Sequence, residues 1–388
     1  MFSDRTNWKL ASNRLTETLE RVRCSGANVL DLTVSNPTRI GLKFDQDAIL
    51  NSFASSRALD YDPNPKGLLE ARQAVAAYYR DDHNAVVDPE HIFLTTSTSE
   101  GYSYVFRLLC NPGDELLVPK PSYPLFEFLA DLQDVKLVPY PLIYDHGWQM
   151  DFPSLRRALT KRTRGVVVVH PNNPTGSYVH SGELPSLNAF CREHGLALIV
   201  DEVFLDYGLQ RGSTTFAANH DVLTFTLSGL SKISALPQMK VSWIVITGSA
   251  PDLQAAMPRM EMISDTYLSM NAPVQWGIAR LLAQRKMIQT QLMQRVGENL
   301  ATLDRLLATQ QACRRLVVEA GWYAVLRAPV TQTDEELAVG ILEKTNVLVH
   351  PGHFYDFPSD GYLILSLIAS PGEFQEGTTR LLRYIAQS

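Results

Sequence analysis

The sequence predicts an α/β protein, with a mainly parallel β-sheet in a large domain and a smaller α+β domain beside it. One observation is the valine run at 166–169, which has no polar alternation and is typical of a parallel strand buried on both faces. Another is the repeated order of apolar strand and helical segment, which is typical of a parallel sheet. Such strands begin near Ile92, Glu115, Lys136, Val166, Ala197, Leu223 and Val241.

Composition sets limits on the class of protein. The chain has 388 residues, with 45% hydrophobic and 20% charged residues, which is an ordinary globular balance. A net charge of −6 provides no basic surface for nucleic acid. The N-terminus lacks an apolar signal segment and no apolar run is long enough to cross a bilayer, so we expect a cytoplasmic protein without membrane contact. The four cysteines form no CxxC pair; we expect reduced thiols and no metal site.

The first part of the chain is expected to join the C-terminal part in the small domain. We assign residues 1–45 and 285–388 to that domain, and residues 46–284 to the large one. An amphipathic pattern predicts a helix over residues 7–26, and an apolar segment predicts a strand over 29–34. Asn36 and Arg39 follow this strand. A turn before Pro37 nearly suffices to explain Asn36, and a solvated turn residue is the alternative for Arg39.

A strand over residues 92–95 leads through the segment TSTS into a helix predicted over 100–109. Hydroxyls and free backbone N–H groups at a helix N-terminus form an anion site. The alternative is an ordinary helix cap by Ser97 or Ser99, and the two interpretations are compatible. Before this strand, a helix is predicted over 68–79, with Leu69, Ala76 and Tyr79 facing inward.

Polar residues follow the central strands at the edge where open α/β sheets bind their ligands. The strand over 166–170 ends in PNNPTG, and the next apolar strand ends at Asp201 and Glu202. An acidic residue at the end of a buried strand needs a cationic partner. An arginine or a helix N-terminus would serve, and so would a protonated pyridine nitrogen.

Lys232 lies between two apolar segments, in the stretch from Leu223 to Thr247. We predict two strands joined by a polar turn without a helix, so that the pair can be antiparallel. A lysine held between buried strands can be desolvated, which favours its neutral, nucleophilic amine. A solvated loop lysine is the alternative for this residue taken alone.

The rest of the chain predicts the small α+β domain. Helices are expected over residues 274–283 and 286–310, and a further helix over 334–345. Strands are expected in GWYAVLRAP and GYLILSLIAS, and a last helix ends near residue 387.

Seven motifs occur in one order along the chain: YDPNPKG, TSTS, PGDELLVPKPSYP, NNPTG, DEVFLDY, SGLSK and PGHF. In this order the chain resembles the fold-type I enzymes that depend on pyridoxal 5′-phosphate (PLP), in particular the class I/II aminotransferases. The resemblance extends from residue 35 to the C-terminal helix. It implies that the large domain binds PLP.

The resemblance also implies a role for individual residues. Lys232 would form the internal aldimine and transfer the proton between substrate Cα and the cofactor. Asp201 would pair with the pyridine nitrogen and keep it protonated. Asn173 would contact the ring oxygen O3′ and the substrate, and Tyr123 would stack on the ring.

The phosphate contacts are implied by further motif positions. Ser97, Thr98 and Ser99 would form the phosphate cup, and Lys240 stands where the family usually has an arginine on the phosphate. Tyr61 would reach the phosphate of the neighbouring subunit's cofactor, which implies a homodimer with shared active sites.

Two other departures from the family pattern concern the ring and the substrate. Phe204 replaces a tyrosine that usually donates to O3′, so the aldimine pKa should rise. Ile364 occupies the position of the arginine that usually binds the substrate carboxylate. Arg39 is the first candidate to replace that arginine, with Asn36 and Asn173 as further substrate-binding residues.

The resemblance implies an aminotransferase that acts by a ping-pong mechanism. The amino donor would be an L-amino acid of the alanine, aspartate or aromatic type, and the acceptor a 2-oxo acid such as 2-oxoglutarate. A PLP-dependent lyase or decarboxylase on the same fold is one alternative. A ligand-binding regulatory protein on an aminotransferase scaffold is another, although the intact Lys232, Asp201 and Asn173 speak against it.

Overall fold

The predicted α/β architecture is confirmed by a computed structural model, which describes residues 1–123, 126–209, 214–268 and 270–387. Its centre is an eight-stranded sheet in the order β2-β9-β8-β7-β6-β3-β4-β5. The strands are β1 Leu30–Asp31, β2 Ile92–Thr95, β3 Glu115–Lys120, β4 Lys136–Tyr144, β5 Trp148–Met150, β6 Thr163–Val169, β7 Ala197–Asp201, β8 Thr224–Gly229, β9 Ser242–Thr247, β10 Arg314–Arg315, β11 Tyr323–Arg327, β12 Val347–Leu348, β13 His350–Pro351 and β14 Tyr362–Ser366.

Helices cover the large sheet and complete the C-terminal part. They are α1 Arg14–Cys24, α2 Gln46–Asn51, α3 Leu69–His83, α4 Thr98–Leu109, α5 Phe126–Asp131, α6 Phe152–Ala158, α7 Leu184–His194, α8 Leu230–Ile233, α9 Ala250–Tyr267, α10 Ala272–Ala283, α11 Arg285–Leu307, α12 Asp334–Thr345 and α13 Pro371–Gln387. No helix in the described part of the chain has the length and apolar character needed to cross a membrane.

The middle of the large sheet is parallel, because β4, β3, β6, β7 and β8 all run in one direction. Strand β9 is antiparallel to both of its neighbours, β8 and β2. The carboxyl ends of β6, β7 and β8 therefore meet at one edge of the sheet, and this edge carries Asp201. The pairing of Val169 with Asp201, and of Asp201 with Leu227, fixes the register there.

A second sheet lies in the C-terminal part, in the antiparallel order β10-β11-β14-β13. Strand β1 pairs in parallel with β12 and so joins the N-terminal segment to this part. The domain boundaries at 45/46 and 284/285 remain a prediction.

Several predicted elements differ from the observed ones at the N-terminus. Helix α1 begins at Arg14 instead of residue 7, because the Asn13 side chain caps it by accepting a hydrogen bond from Thr16 N. Trp8 lies outside the helix and packs edge-on against Phe128, with ring centroids 5.2 Å apart. The strand predicted over residues 29–34 is reduced to Leu30–Asp31.

Other differences concern the large domain. The prediction missed α9, which has Pro258 in its interior. Leu69 is 43% exposed, because it begins α3, and does not face inward as predicted; Ala76 and Tyr79 are buried as expected. The predicted polar turn between β8 and β9 contains α8, one helical turn that carries Lys232.

Candidate active site

A cavity of about 240 Å³ lies beyond the carboxyl ends of β6, β7 and β8. Such a position is the usual ligand site of an open α/β sheet. The cavity is lined by Ser35, Thr98, Tyr123, Phe126, Val169, Asn173, Asp201, Val203, Phe204, Ser231, Lys232 and Tyr323. Five of the predicted site residues are thus brought together, namely Lys232, Asp201, Asn173, Tyr123 and Thr98.

The backbone around Lys232 is tightly held. A Cβ atom on Gly229 would lie 2.3 Å from the Ser242 hydroxyl oxygen, so only glycine fits at the junction of β8 and α8. The Tyr207 hydroxyl donates to the Lys232 carbonyl at 2.5 Å, and Gln289 Nε2 donates to the Ile233 carbonyl at 3.0 Å. Strand β9, the segment of Tyr207 and helix α11 thus all contact this single helical turn, and these contacts hold the backbone of Lys232 in place.

The Lys232 amine lies among aromatic rings, with Nζ 5.0 Å from the centre of the Trp322 ring and 5.5 Å from that of Phe204. Burial lowers the pKa of this amine to about 8, and the Asp201 carboxylate opposes the shift. A larger neutral fraction is therefore present near neutral pH than for an exposed lysine. This environment suits a nucleophilic amine.

Asp201 is buried at the end of β7, and burial raises the pKa of its carboxyl to about 6. Its Oδ1 accepts a hydrogen bond from Val203 N at 3.0 Å, and its Oδ2 accepts one from the Tyr102 hydroxyl at 3.1 Å. Each carboxylate oxygen keeps a second lone pair, so Asp201 retains acceptor capacity toward the cavity.

Glu202 is not among the residues that line the cavity. Its oxygens accept hydrogen bonds from the Thr215 hydroxyl and from Phe216 N, both at 2.6 Å. Burial raises the pKa of Glu202 to about 7. The two neighbouring acidic residues of the DEVFLDY motif thus have different surroundings. Asp201 lines the cavity, whereas Glu202 binds the segment at Thr215 and Phe216.

Asn173 and Tyr123 complete the wall around Lys232. Asn173 Oδ1 is buried and has no hydrogen-bond partner among the described residues. A buried amide oxygen without a donor is costly, so a bound molecule that donates a hydrogen bond would stabilise the site. Tyr123 is 40% exposed and meets Phe126 edge-on, with ring centroids 6.3 Å apart.

The TSTS segment forms a helix cap, and one of its members reaches the cavity. The Ser97 hydroxyl caps α4 by accepting a hydrogen bond from Glu100 N at 3.1 Å, as one sequence interpretation predicted. Glu100 Oε2 accepts a hydrogen bond from Thr96 N at 2.6 Å. Thr98, the first residue of α4, lines the cavity, whereas Ser97 and Ser99 are half-buried beside it. The N-terminus of a twelve-residue helix is therefore directed toward the site.

Besides Ser97 and Ser99, four predicted site residues lie outside the lining of the cavity. Lys240 is exposed at the end of a 3₁₀ turn, and Tyr61 is 78% exposed. Asn36 uses its side chain locally, since its Oδ1 accepts a hydrogen bond from Thr38 N at 3.0 Å. Arg39 is exposed at the end of the 3₁₀ turn Pro37–Arg39, which Asn36 caps. The nearby residue that lines the cavity is Ser35.

Ile364 lies in the core instead of at the cavity. It is 1% exposed and pairs with Val325 and His350 in the C-terminal sheet. Among the described residues that line the cavity, Lys232 is the only cation.

Several site residues were not identified from the sequence. Ser231 could have been found from its position next to Lys232. Tyr323 comes from a distant segment and has no local motif. Tyr102 contacts Asp201 across 99 residues of chain, and nothing in the sequence indicates that pairing.

The chemistry of these groups fits PLP. A buried amine suits its aldehyde, a buried carboxylate its ring nitrogen, and the Asn173 amide, through its Nδ2 donor, its ring oxygen. The N-terminus of α4 suits its phosphate. The fold defines an α/β protein of the fold-type I class, with a lysine amine buried at its candidate site.

A family model described as aminotransferase class I and II matches residues 27–367. The chain belongs to this family.

Known relatives and solved structures agree with this assignment. The chain is 29% identical to the glutamate-pyruvate aminotransferase AlaA of Escherichia coli K12 over 265 residues, which span 68% of this chain and 65% of that protein. It is 27% identical to the alanine aminotransferase of Mycobacterium tuberculosis, over 89% of this chain and 82% of that one. The structure of the alanine aminotransferase from Pyrococcus furiosus shares the fold, with a TM-score of 0.91 and 20% identity, and each chain is covered in full.

Proposed function

We propose that this chain is a PLP-dependent aminotransferase that acts in two half-reactions. It would take the amino group from an L-amino acid of the alanine, aspartate or aromatic type and pass it to a 2-oxo acid such as 2-oxoglutarate. The observation that carries the proposal is the meeting of Lys232, Asp201 and Asn173 in one cavity.

Lys232 would hold the cofactor and move the proton. Its buried amine is the group that would hold the cofactor by its aldehyde, and it would serve as a base while the substrate is bound. The neutral amine would take the proton from substrate Cα and hold it for transfer to the former aldehyde carbon of the cofactor. PLP, when bound, supplies an electron-withdrawing ring that stabilises the negative charge left on Cα.

The other residues would orient the cofactor. Asp201 would hold the proton on the ring nitrogen, and Asn173 would meet the ring oxygen. Tyr123 would lie against the ring face. The residues proposed for the phosphate are Ser97, Thr98, Ser99 and Lys240, and only Thr98 lines the cavity. Lys240 would contribute a point charge instead of a bidentate fork.

The substrate carboxylate needs a hydrogen-bond donor, and no arginine is among the described residues that line the cavity. We propose that Arg39 provides it, with Asn36 and Asn173 close to the same group. Ser35 lines the cavity, and Arg39 lies four residues further along the chain. An Arg39→Ala variant with an unchanged KM for the amino acid would remove Arg39 from this role.

The identity of the amino-group donor can be tested by adding a panel of amino acids, one at a time, to the PLP-loaded protein. We expect alanine, aspartate or an aromatic amino acid to change the near-ultraviolet and visible absorbance, and 2-oxoglutarate to restore it. Formation of glutamate and of the matching 2-oxo acid in equal amounts would support transamination. Turnover in the absence of any 2-oxo acid acceptor would contradict it.

A homodimer with shared active sites is also proposed, with Tyr61 reaching the cofactor phosphate of the partner. Tyr61 is 78% exposed and Leu59 is 89% exposed, so this segment offers a free apolar surface on one subunit. We expect two inactive variants, Lys232→Ala and Tyr61→Phe, to regain activity when their subunits are mixed and exchanged. If purified monomers had the same specific activity as the dimer, the shared active site would be contradicted.

A PLP-dependent lyase or decarboxylase remains a second proposal. It is favoured by the absence of a guanidinium from the described cavity wall and by the apolar Ile364. Release of ammonia or carbon dioxide from an amino acid, without an acceptor, would support it.

A further inference from the structure

Tyr102 lies below the candidate site, in the second turn of α4. It is 3% exposed, and its ring meets Phe126 edge-on at 5.2 Å between centroids. Phe126 lines the cavity, so the ring of Tyr102 supports the wall from behind. Its hydroxyl donates a hydrogen bond to Asp201 Oδ2 at 3.1 Å.

The direction of this hydrogen bond is fixed by chemistry. Burial, more than the nearby Asp201 charge, raises the pKa of the Tyr102 hydroxyl well above its ordinary value. Tyr102 therefore keeps its proton and acts as a donor at any pH that the protein experiences. A donor favours the charged form of the carboxyl that accepts from it.

Packing holds α4 at a fixed distance from Asp201. A Cβ atom on Gly101 would lie 2.9 Å from Leu227 Cδ2, so the helix lies directly on the sheet at this point. Leu227 is the residue that pairs with Asp201 between β8 and β7. Since α4 also carries Thr98 into the cavity, one helix contacts both the expected phosphate end and the carboxylate.

We propose that Tyr102 is a positioning residue, which keeps the Asp201 carboxylate ionised and turned toward the cavity so that it can hold a protonated ring nitrogen. The proposal rests on the proposed function, because it assigns a partner to the residue that would meet the cofactor ring. It concerns Asp201 itself, however, and so can be measured in the protein without cofactor.

The charged groups around Asp201 make the pH effect predictable. Lys232 faces it from α8, the Tyr102 and Tyr123 hydroxyls lie near it, and Glu202 follows it in the chain. Burial dominates and raises the pKa of Asp201, while the hydrogen bonds from Val203 N and Tyr102 lower it, as does the charge of Lys232. Removing the Tyr102 hydroxyl should therefore raise the pKa of Asp201 further.

The test uses Tyr102→Phe, which keeps the ring and its packing. Tyr104→Phe is the matched control, since Tyr104 is equally buried on the same helix but its ring meets Tyr267. In the cofactor-free protein, the carboxyl ¹³C signal that disappears in Asp201→Asn reports the titration of Asp201. We expect its midpoint to move to higher pH in Tyr102→Phe and to stay unchanged in Tyr104→Phe. An unchanged midpoint in Tyr102→Phe would overturn the proposal.

A second measurement separates this proposal from the proposed function. Near neutral pH, Tyr102→Phe should bind PLP about 10-fold more weakly than the wild type, because a hydrogen bond to a charged group is lost. In the Asp201→Asn background the same substitution should cost little. An equal loss in both backgrounds would indicate a structural role and overturn the proposal. If the wild type binds no PLP, the proposed function fails, while the Asp201 titration still decides the role of Tyr102.

Discussion

Lys232→Ala is expected to lower the rate of transamination by about 10⁴-fold or more, because one amine both holds the cofactor and transfers the proton. The variant should still bind PLP through the contacts of Asp201, Asn173 and the N-terminus of α4. The loss should therefore appear in kcat, and the spectrum of bound PLP should be that of the free aldehyde. A small primary amine added to the solution should restore part of the activity, since it fits the space left by the side chain.

The matched control for this variant is Lys344→Ala, which removes an exposed lysine from α12 far along the chain. We expect it to keep wild-type activity. Activity of Lys232→Ala within a few-fold of the wild type, measured without added amine, would show that another group performs the chemistry.

Asp201→Asn is expected to lower kcat by about 10²–10³-fold, the range found when one preorganised electrostatic contact is removed from an active site. The amide has nearly the same shape, but its single oxygen can accept from only one of the two donors, Val203 N and the Tyr102 hydroxyl, and it cannot stabilise a protonated ring nitrogen. PLP should also dissociate more readily from the variant. A kcat close to that of the wild type would contradict the role of Asp201.

The pH dependence of stability gives this prediction a second readout. The folded-state pKa of Asp201 is raised to about 6, so the carboxyl contributes stability below its unfolded pKa and loses it as the pH rises through 6. The cofactor-free Asp201→Asn protein should not show this loss, and its free energy of unfolding should fall less between pH 4 and pH 7. Asp114→Asn is the control, because Asp114 is also buried but pairs with Arg164 at 2.9 Å at the opposite edge of the sheet. The Asp114→Asn substitution should lower the free energy of unfolding and leave kcat near that of the wild type.

The sequence predicted the sheet and most of the central site because both depend on local patterns. The valine run of β6 and the apolar segment of β7 each end in a polar residue, and parallel strands bring such ends together. These patterns place Asp201 and the segment that contains Asn173 at one edge of the sheet, whereas the roles of these residues and of Lys232 were implied by the resemblance. The prediction of a polar turn without a helix around Lys232 was wrong, because the four residues of α8 are too few to show a helical period.

Contacts between distant segments could not be predicted in this way. The Tyr102 hydroxyl meets Asp201 because α4 packs on β8, and Trp322 reaches Lys232 from the C-terminal part. No spacing in the sequence encodes these contacts. The N-terminal helix was predicted too long because Trp8 fits an apolar stripe, although it packs on Phe128 instead. Lys240 was assigned by resemblance, and Arg39 as a substitute for the arginine that Ile364 replaces; both are exposed outside the cavity wall.

The most direct test of the account is the covalent attachment of PLP to Lys232. The purified protein would be incubated with PLP, reduced with sodium borohydride, digested and analysed by tandem mass spectrometry. We predict that one peptide gains the mass of the reduced cofactor and that fragmentation places it on Lys232. No attachment in the folded protein, or attachment distributed over exposed lysines such as Lys240 and Lys344, would contradict the central claim.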